Sequence, residues 1–273
     1  MVVMIRFSKY IWLYALISGL VLVPGIYSLV RFGLKQSIDF TGGTLLEVSF
    51  DKPASENLLR QAVKTSNNTY LFRMKPGESE EVASAGAILR SETVGPVLGR
   101  ELLVKAVIAA FLAILCIFAY VAYAFKDIKF GASAIVALIH DLLVVLGVFS
   151  LLGALWGVEV DTLFVTAFLT TMSFSVHDTI VVFDRIREYR KRDEKTPFNE
   201  IADRALTETM GRSLTNSFTI VFMLLALILM GGESTKWFVV ALLTGTISGT
   251  YSSPFVATPI LLLWDLWERR KSR

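Results

Sequence analysis

The chain has 273 residues, 54% of them hydrophobic, and a formal net charge of +3. That apolar share is above the usual soluble range, and several stretches reach the roughly 20 apolar residues that span a bilayer, so an ordinary soluble globular protein is excluded. The single cysteine, Cys116, leaves no intrachain disulfide framework and no Cys-based metal site.

In chain order, the first apolar segment is about Tyr10–Val30, preceded by Arg6 and Lys9. It is too long for a signal-peptide core and lacks a small-x-small cleavage pattern, so it reads as an uncleaved anchor, with Pro24-Gly25 as a potential kink. Residues 31–101 form the one sizeable loop. Within it, Thr44–Phe50 reads as a strand, Pro53–Lys64 as a helix with Pro in its first turn, and Thr69–Met74 and Ala87–Val94 as strands. Pro76–Glu81 reads as a polar turn. The order β-α-β-β is half of a ferredoxin-like plait, and so few large apolar side chains predict a marginal core that leans on a partner.

Five further spans follow: Leu102–Phe125, Phe130–Leu152, Thr162–Phe183, Arg212–Met230 and Trp237–Trp264. The expected fold class is a polytopic α-helical membrane protein of six transmembrane helices, with a small α+β domain between the first two. Between the fourth and fifth spans, residues 184–211 form a basic amphipathic arm. Its Ile186, Tyr189, Phe198, Ile201, Ala205 and Leu206 would lie in the membrane interface. A basic tail, 265–273, ends the chain.

Lys and Arg gather in alternate connections. Lys126 and Lys129 follow the second span, seven basic residues from Arg185 to Arg204 follow the fourth, and Arg269, Arg270, Lys271 and Arg273 follow the sixth. The short loop with Glu159 and Asp161 has none. The positive-inside rule then predicts cytoplasmic termini and places residues 31–101 outside.

Asp178 lies inside the fourth span, where a carboxylate costs at least about 2.5–3.5 kcal/mol on insertion scales. Such groups relay protons, bind ions or bridge helices. Arg212, at the start of the fifth span, is the candidate counter-charge, with a snorkelling anchor as the alternative. Thr215, Asn216 and Ser217 follow it and offer relay groups; Ser173 and Ser175 precede Asp178. His140-Asp141 in the third span and His177 beside Asp178 are either secondary relay groups or satisfied interhelical contacts. Adjacent helical residues point about 100° apart, so neither His-Asp pair reads as a metal site. Gly245, Ser248, Gly249, Ser252 and Ser253 make a small-residue packing face in the sixth span. No Walker A, dinucleotide or nucleophile-elbow motif occurs, so any energy source other than an ion gradient is expected to act through another protein, and the leading expectation is a non-enzymatic energy-coupling subunit.

Ser37-Ile-Asp39-Phe40-Thr41-Gly42-Gly43, Glu92–Leu102, Ser173–Glu188 and Asn199–Ser217 together resemble the SecF family of protein-export membrane subunits. The resemblance covers nearly the whole chain. It implies an RND-superfamily half that pairs with SecD and associates with the SecYEG channel, on which SecA acts. It implies use of the proton or sodium gradient to promote translocation of a polypeptide across the bacterial inner membrane, with membrane lipids as surroundings and with no cofactor, metal or nucleic acid. In that family Asp178 matches the ion-path carboxylate and Arg212 its fifth-helix arginine. This chain departs at His177, where Asn is common, at Asn216, where a hydroxyl is expected, and at Ser37, where Gly is common. A subunit of a small-molecule or lipid exporter, an intramembrane hydrolase using Asp141 and Asp178, and a pure scaffold for SecD are the rival readings.

Overall fold

The computed structural model describes residues 6–50, 62–66, 69–74, 87–193 and 195–271. They divide into two compact units. One comprises Met1–Leu34, Ala110–Val158 and Thr166–Arg273; the other comprises Lys35–Ala109 and Glu159–Val165.

The helices are α1 (Ile11–Phe32), a short α2 (Ile38–Thr41), α3 (Pro96–Phe125), α4 (Ile128–Trp156), α5 (Thr162–Arg192), α6 (Phe198–Met230), α7 (Glu233–Ser252) and α8 (Thr258–Lys271). Among the described residues, five helical stretches are long and apolar enough to cross a membrane: Phe7–Phe32, Val97–Phe125, Ile128–Trp156, Thr162–Arg192 and Phe198–Met230. They coincide with the first five expected spans. The sixth, expected as one helix over Trp237–Trp264, is divided into α7, a π turn at Ser253–Ala257, and α8. Pro254 has no N–H and its ring collides with the carbonyl one turn back, so regular α-helix cannot continue through it. The Ser253 carbonyl accepts from the Thr258 amide instead, five residues on.

Local chemistry sets the helix ends. The Asp127 side chain accepts from the Lys129 amide at the start of α4, and Gly157 closes α4 in the left-handed conformation at φ 69°. α1 crosses α4 at a pair of glycines. A Cβ on Gly147 would lie 2.7 Å from the Gly25 Cα. One step along, the Ser28 and Ser150 hydroxyls are hydrogen-bonded at 2.8 Å. Gly147→Leu should therefore force α1 off α4 and lower the thermal unfolding midpoint of the detergent-solubilised chain, overpacking of this kind costing about 1–3 kcal/mol. An unchanged midpoint would mean that the crossing contributes nothing.

The arm is not an in-plane surface helix. α5 continues to Arg192 and α6 begins at Phe198, so residues 184–211 form a helical hairpin. Ile186, Phe198, Ile201, Ala205 and Leu206 are buried in one core with Phe7, Phe125, Phe130 and Phe183. The apolar stripe read from the sequence is real, but protein covers it rather than lipid. Asp203 accepts from the Ser8 amide (2.8 Å) and hydroxyl (2.7 Å), which ties the N-terminal turn to the hairpin. On its exposed side Arg185 pairs with Glu188 and Glu208, and the Tyr189 hydroxyl donates to Glu208.

The second unit holds a four-stranded antiparallel sheet in the order β2-β3-β1-β4, with β1 Gly43–Ser49, β2 Ala62–Ser66, β3 Thr69–Met74 and β4 Ala87–Val94. Since β1 and β2 are both antiparallel to the β3 between them, they run parallel to each other, as in a split β-α-β unit. The three expected strands are present. The expected helix over Pro53–Lys64 is corrected at its end: residues 62–64 open β2, where β-branched Val63 and Thr65 and pairing with β3 prevail over helix propensity. Residues 53–61 of that helix, and the expected turn at Pro76–Glu81, lie outside the described residues. The core is small: Leu46, Val48, Phe50 and Phe72, with Tyr70 and Met74 at its margin.

Candidate functional site

Of the four buried carboxylates among the described residues of the helical unit, Asp141, Asp178, Asp203 and Asp265, the first two lie within expected spans, and their surroundings differ. Asp141, 2% exposed on α4, accepts from the hydroxyls of Ser175 on α5 and of Ser248 and Ser252 on α7, each at 2.6 Å. Nδ1 of His140 lies 3.0 Å from the same carboxylate. Four partners on two oxygens satisfy a carboxylate, which has about four acceptor sites. Asp141 therefore ties α4, α5 and α7 together. The far nitrogen of His140, Nε2, is buried without a hydrogen-bond partner among the described residues.

The small-residue face of α7 makes this possible. A Cβ on Gly249 would lie 3.0 Å from the Ser175 Cα, and one on Gly245 would overlap Thr171. With hydrogen at both positions α7 approaches α5 closely enough for short serine side chains to reach Asp141. The face was legible as packing; that two of its serines hold a buried carboxylate was not, because Asp141 is more than 100 residues away in sequence.

Asp178, 8% exposed on α5, accepts no hydrogen bond from any described residue. It borders two cavities of about 10 and about 20 Å³, each near the volume that holds one water. The first is bounded by Val182, Leu206, Thr209, Ser213, Ser253 and Pro254, the second by Phe174, His177, Asn216, Ser217, Thr246 and Gly249. Val182 and Phe174 are one helical turn after and before Asp178, so the cavities lie on opposite sides of it along α5. Thr250 lines both and donates to Ser217 at 2.7 Å. The π turn supplies Ser253, whose hydroxyl is 2.9 Å from that of Thr179. Thr209, Ser213, Thr246 and Thr250 were not singled out from sequence, since hydroxyl residues on a helix carry no signal until the neighbouring helix is placed.

The remaining expected site residues divide. His177 and Arg212 are the charged or titratable neighbours whose fields reach Asp178. Arg212 makes no ion pair with it among the described residues; its exposed side chain lines a cleft of about 320 Å³ with Tyr120, Phe125, Asp184 and Arg187. Asn216 is exposed and lines the second cavity, and His177 is exposed beside it. Thr215 turns its hydroxyl back to the Gly211 carbonyl. Ser175 serves Asp141 rather than Asp178. Among the described residues no cluster of three or more His, Cys, Asp or Glu is placed to hold a metal.

The Asp39–Gly43 segment lies in the second unit. Asp39 Oδ2 accepts from the Thr162 amide and hydroxyl, both at 2.9 Å, at the first residue of α5. Gly42 and Gly43 take φ of 75° and 146°, values that L side chains rarely adopt, which accounts for two consecutive glycines before β1. Beside them, burial pushes the Asp161 carboxyl above its ordinary range, an effect opposed by the Phe164 amide and reinforced by the charge of Asp39.

A profile described as protein export membrane protein SecD/SecF, C-terminal, matches residues 77–267, and one for the SecD/SecF GG motif matches residues 27–54. Protein translocase subunit SecF of Thermobaculum terrenum is 40% identical over 93% of this chain and 92% of its own. Those of Anaerolinea thermophila and Vibrio alginolyticus are 38% and 36% identical, over 95% and 94% of this chain and 94% and 88% of their own. The crystal structure of SecDF from Thermus thermophilus, described as a translocon-associated membrane protein, superposes with a TM-score of 0.85 at 30% identity. That match covers 97% of this chain and 39% of the SecDF chain. SecDF in a super-membrane-facing form gives 0.77 at 29% identity, over 99% of this chain and 40% of its own. The chain thus spans about two fifths of those SecDF chains and nearly the full length of the SecF relatives. With that coverage and identity, the chain belongs to the SecF family of protein translocase subunits.

Proposed function

We propose that this SecF-family chain is the half of a SecDF-type complex that couples downhill proton or sodium movement to polypeptide export, with Asp178 as the ion-carrying group. The observation that carries the reading is the setting of Asp178: buried, without a hydrogen-bond partner among the described residues, and between two water-sized cavities on opposite sides along α5. A carboxylate so placed exchanges a proton with water on either side without breaking a structural bond. Thr250, which lines both cavities, and Ser217, hydrogen-bonded to it, offer a hydroxyl route past it. Arg212 and His177, both exposed, are the neighbouring charged or titratable groups.

In this reading a SecD partner covers the face that bears His177 and Asn216 and supplies the second half of the pathway, beside the SecYEG channel on which SecA acts. The α7–π–α8 segment completes six spans. Both termini face the cytoplasm of the bacterial cell, and the four-stranded sheet is a ferredoxin-like outer domain that contacts the emerging polypeptide. The chain acts without a cofactor and catalyses no bond cleavage. The relatives, which are translocase subunits, do not favour the exporter alternative.

The test is completion of export in inverted vesicles containing the chain, its SecD partner and the channel. A precursor halted late in transit should be released at least about ten-fold faster with an ion gradient than without, a charge crossing 100 mV being worth about 2.3 kcal/mol. Imposing proton and sodium gradients separately identifies the ion. Equal release with and without either gradient would overturn the proposal.

A further inference from the structure

The segment that precedes β1 is fastened to the start of α5 along its length. The Val160 amide donates to the Lys35 carbonyl (2.8 Å) and the Ser37 amide to the Val160 carbonyl (2.9 Å). Gln36 and Val160 form a parallel bridge, and Lys35 pairs with Glu159 at 3.5 Å. Asp39 then takes both the amide and the hydroxyl of Thr162. On its other side the segment lies against the first turn of α3, where a Cβ on Gly99 would be 2.7 Å from the Phe40 carbonyl oxygen. Gly42 and Gly43 follow, and Gly43 is already the first residue of β1, a central strand paired on both edges, with β3 and β4. Between Asp39 and the sheet there are three residues, Phe40, Thr41 and Gly42. Phe40 is buried, Thr41 donates its hydroxyl to the Ser37 carbonyl, and Gly42, like Gly43 after it, has a φ that L side chains rarely adopt.

α5 is also the helix of Asp178. It runs without a break from Thr162 to Arg192, so the residue that Asp39 holds and Asp178 are on one continuous helix. A regular helix transmits axial displacement and rotation along its length. Sequence alone offered the Asp39–Gly43 motif with no task.

We infer that Asp39 is a positioning residue that couples the sheet to the Asp178 helix: by gripping Thr162 it passes movement of α5 through Gly42-Gly43 into β1. The inference rests on the ion-coupled reading above and goes beyond it, because it separates ion movement from the work that movement does. An Asp39 that only capped a helix would affect stability and leave the coupling between the two ends intact.

The experiment uses the complete complex in vesicles and reads ion uptake, gradient-driven release of a late-arrested precursor, and the mobility of a spin label at Glu47 in β1. In otherwise wild-type complexes, Asp178→Asn should change the label spectrum, because α5 is then held in one charge state. Asp39→Ala should keep ion uptake within about two-fold, lower gradient-driven release at least about ten-fold, the loss expected of even one hydrogen bond to a charged acceptor, and erase the response of the label to Asp178→Asn. Asp39→Asn, which retains an acceptor oxygen, should restore most of the release, and Thr162→Val, which removes one of the two bonds, should fall between. Should Asp39→Ala fail to assemble, Thr162→Val carries the test with the same three readouts. Release and label response at wild-type levels in Asp39→Ala, or in Thr162→Val where it alone assembles, would overturn the link. Loss of gradient dependence in the unmodified complex would overturn the ion-coupled reading itself, so the two failures are distinct.

Discussion

Asp178→Asn should abolish gradient-driven export while leaving the amount, assembly and thermal stability of the chain unchanged. The separation follows from the contacts of the residue. Asp178 accepts no hydrogen bond from a described residue, so an amide of the same size removes no partner. It does remove the only buried carboxylate of the pair that is free to gain or lose a proton without breaking serine bonds. The field acting on one charge moved across 100 mV is worth about 2.3 kcal/mol, a bias of tens-fold in a conformational equilibrium, and the variant should lose all of it. Export driven by the channel alone should persist. A variant that responds fully to the gradient would transfer the ion-carrying role to another group.

The opposite pattern is expected at Asp141. Asp141→Ala leaves the hydroxyls of Ser175, Ser248 and Ser252 and the ring nitrogen of His140 without their common partner. Each buried polar group so stranded costs about 1–3 kcal/mol, less where a serine can turn to a backbone carbonyl. Ser252 has such an alternative in the Gly249 carbonyl. A loss of several kcal/mol in total should lower the unfolding midpoint of the detergent-solubilised chain sharply and reduce its yield. Asp141→Asn should be milder but still destabilising, because its NH2 group meets donors on that side. Single Ser248→Ala should be mildest, leaving three of the four contacts. If Asp141→Ala unfolds at the wild-type temperature, the carboxylate is not what joins α4, α5 and α7. These two carboxylates also bear on the hydrolase rival: each has a surrounding that explains it without the other, and Ser175 attaches to Asp141 alone.

Some features were legible from residue order because their physics is local. A carboxylate in an apolar run is anomalous whatever surrounds it, so Asp178 stood out at once. The apolar runs marked the first five spans, and alternation and β-branching marked three strands. Other features depend on residues distant in sequence. The stripe of Ile186, Phe198, Ile201 and Leu206 was visible, but an amphipathic stripe is equally compatible with lipid and with protein. Only placement of Phe7, Phe125 and Phe130 against it decided for a core hairpin. Arg212 read as a counter-charge because opposite signs one helix apart are often paired; in the structure its side chain lines a separate cleft.

Residue order alone therefore determined the membrane class, most of the spans, the anomalous carboxylate and the family, since hydropathy and motif are properties of contiguous residues. Tertiary structure decided which of the two aspartates within the expected spans, Asp141 and Asp178, is satisfied, where the hydroxyls gather, and that Asp39, three residues before the first of the two glycines, holds the first residue of the helix bearing Asp178. Those outcomes depend on distances of about 3 Å between residues 34 to 123 positions apart, and hydrogen bonds lose their strength within a few tenths of an ångström beyond that range.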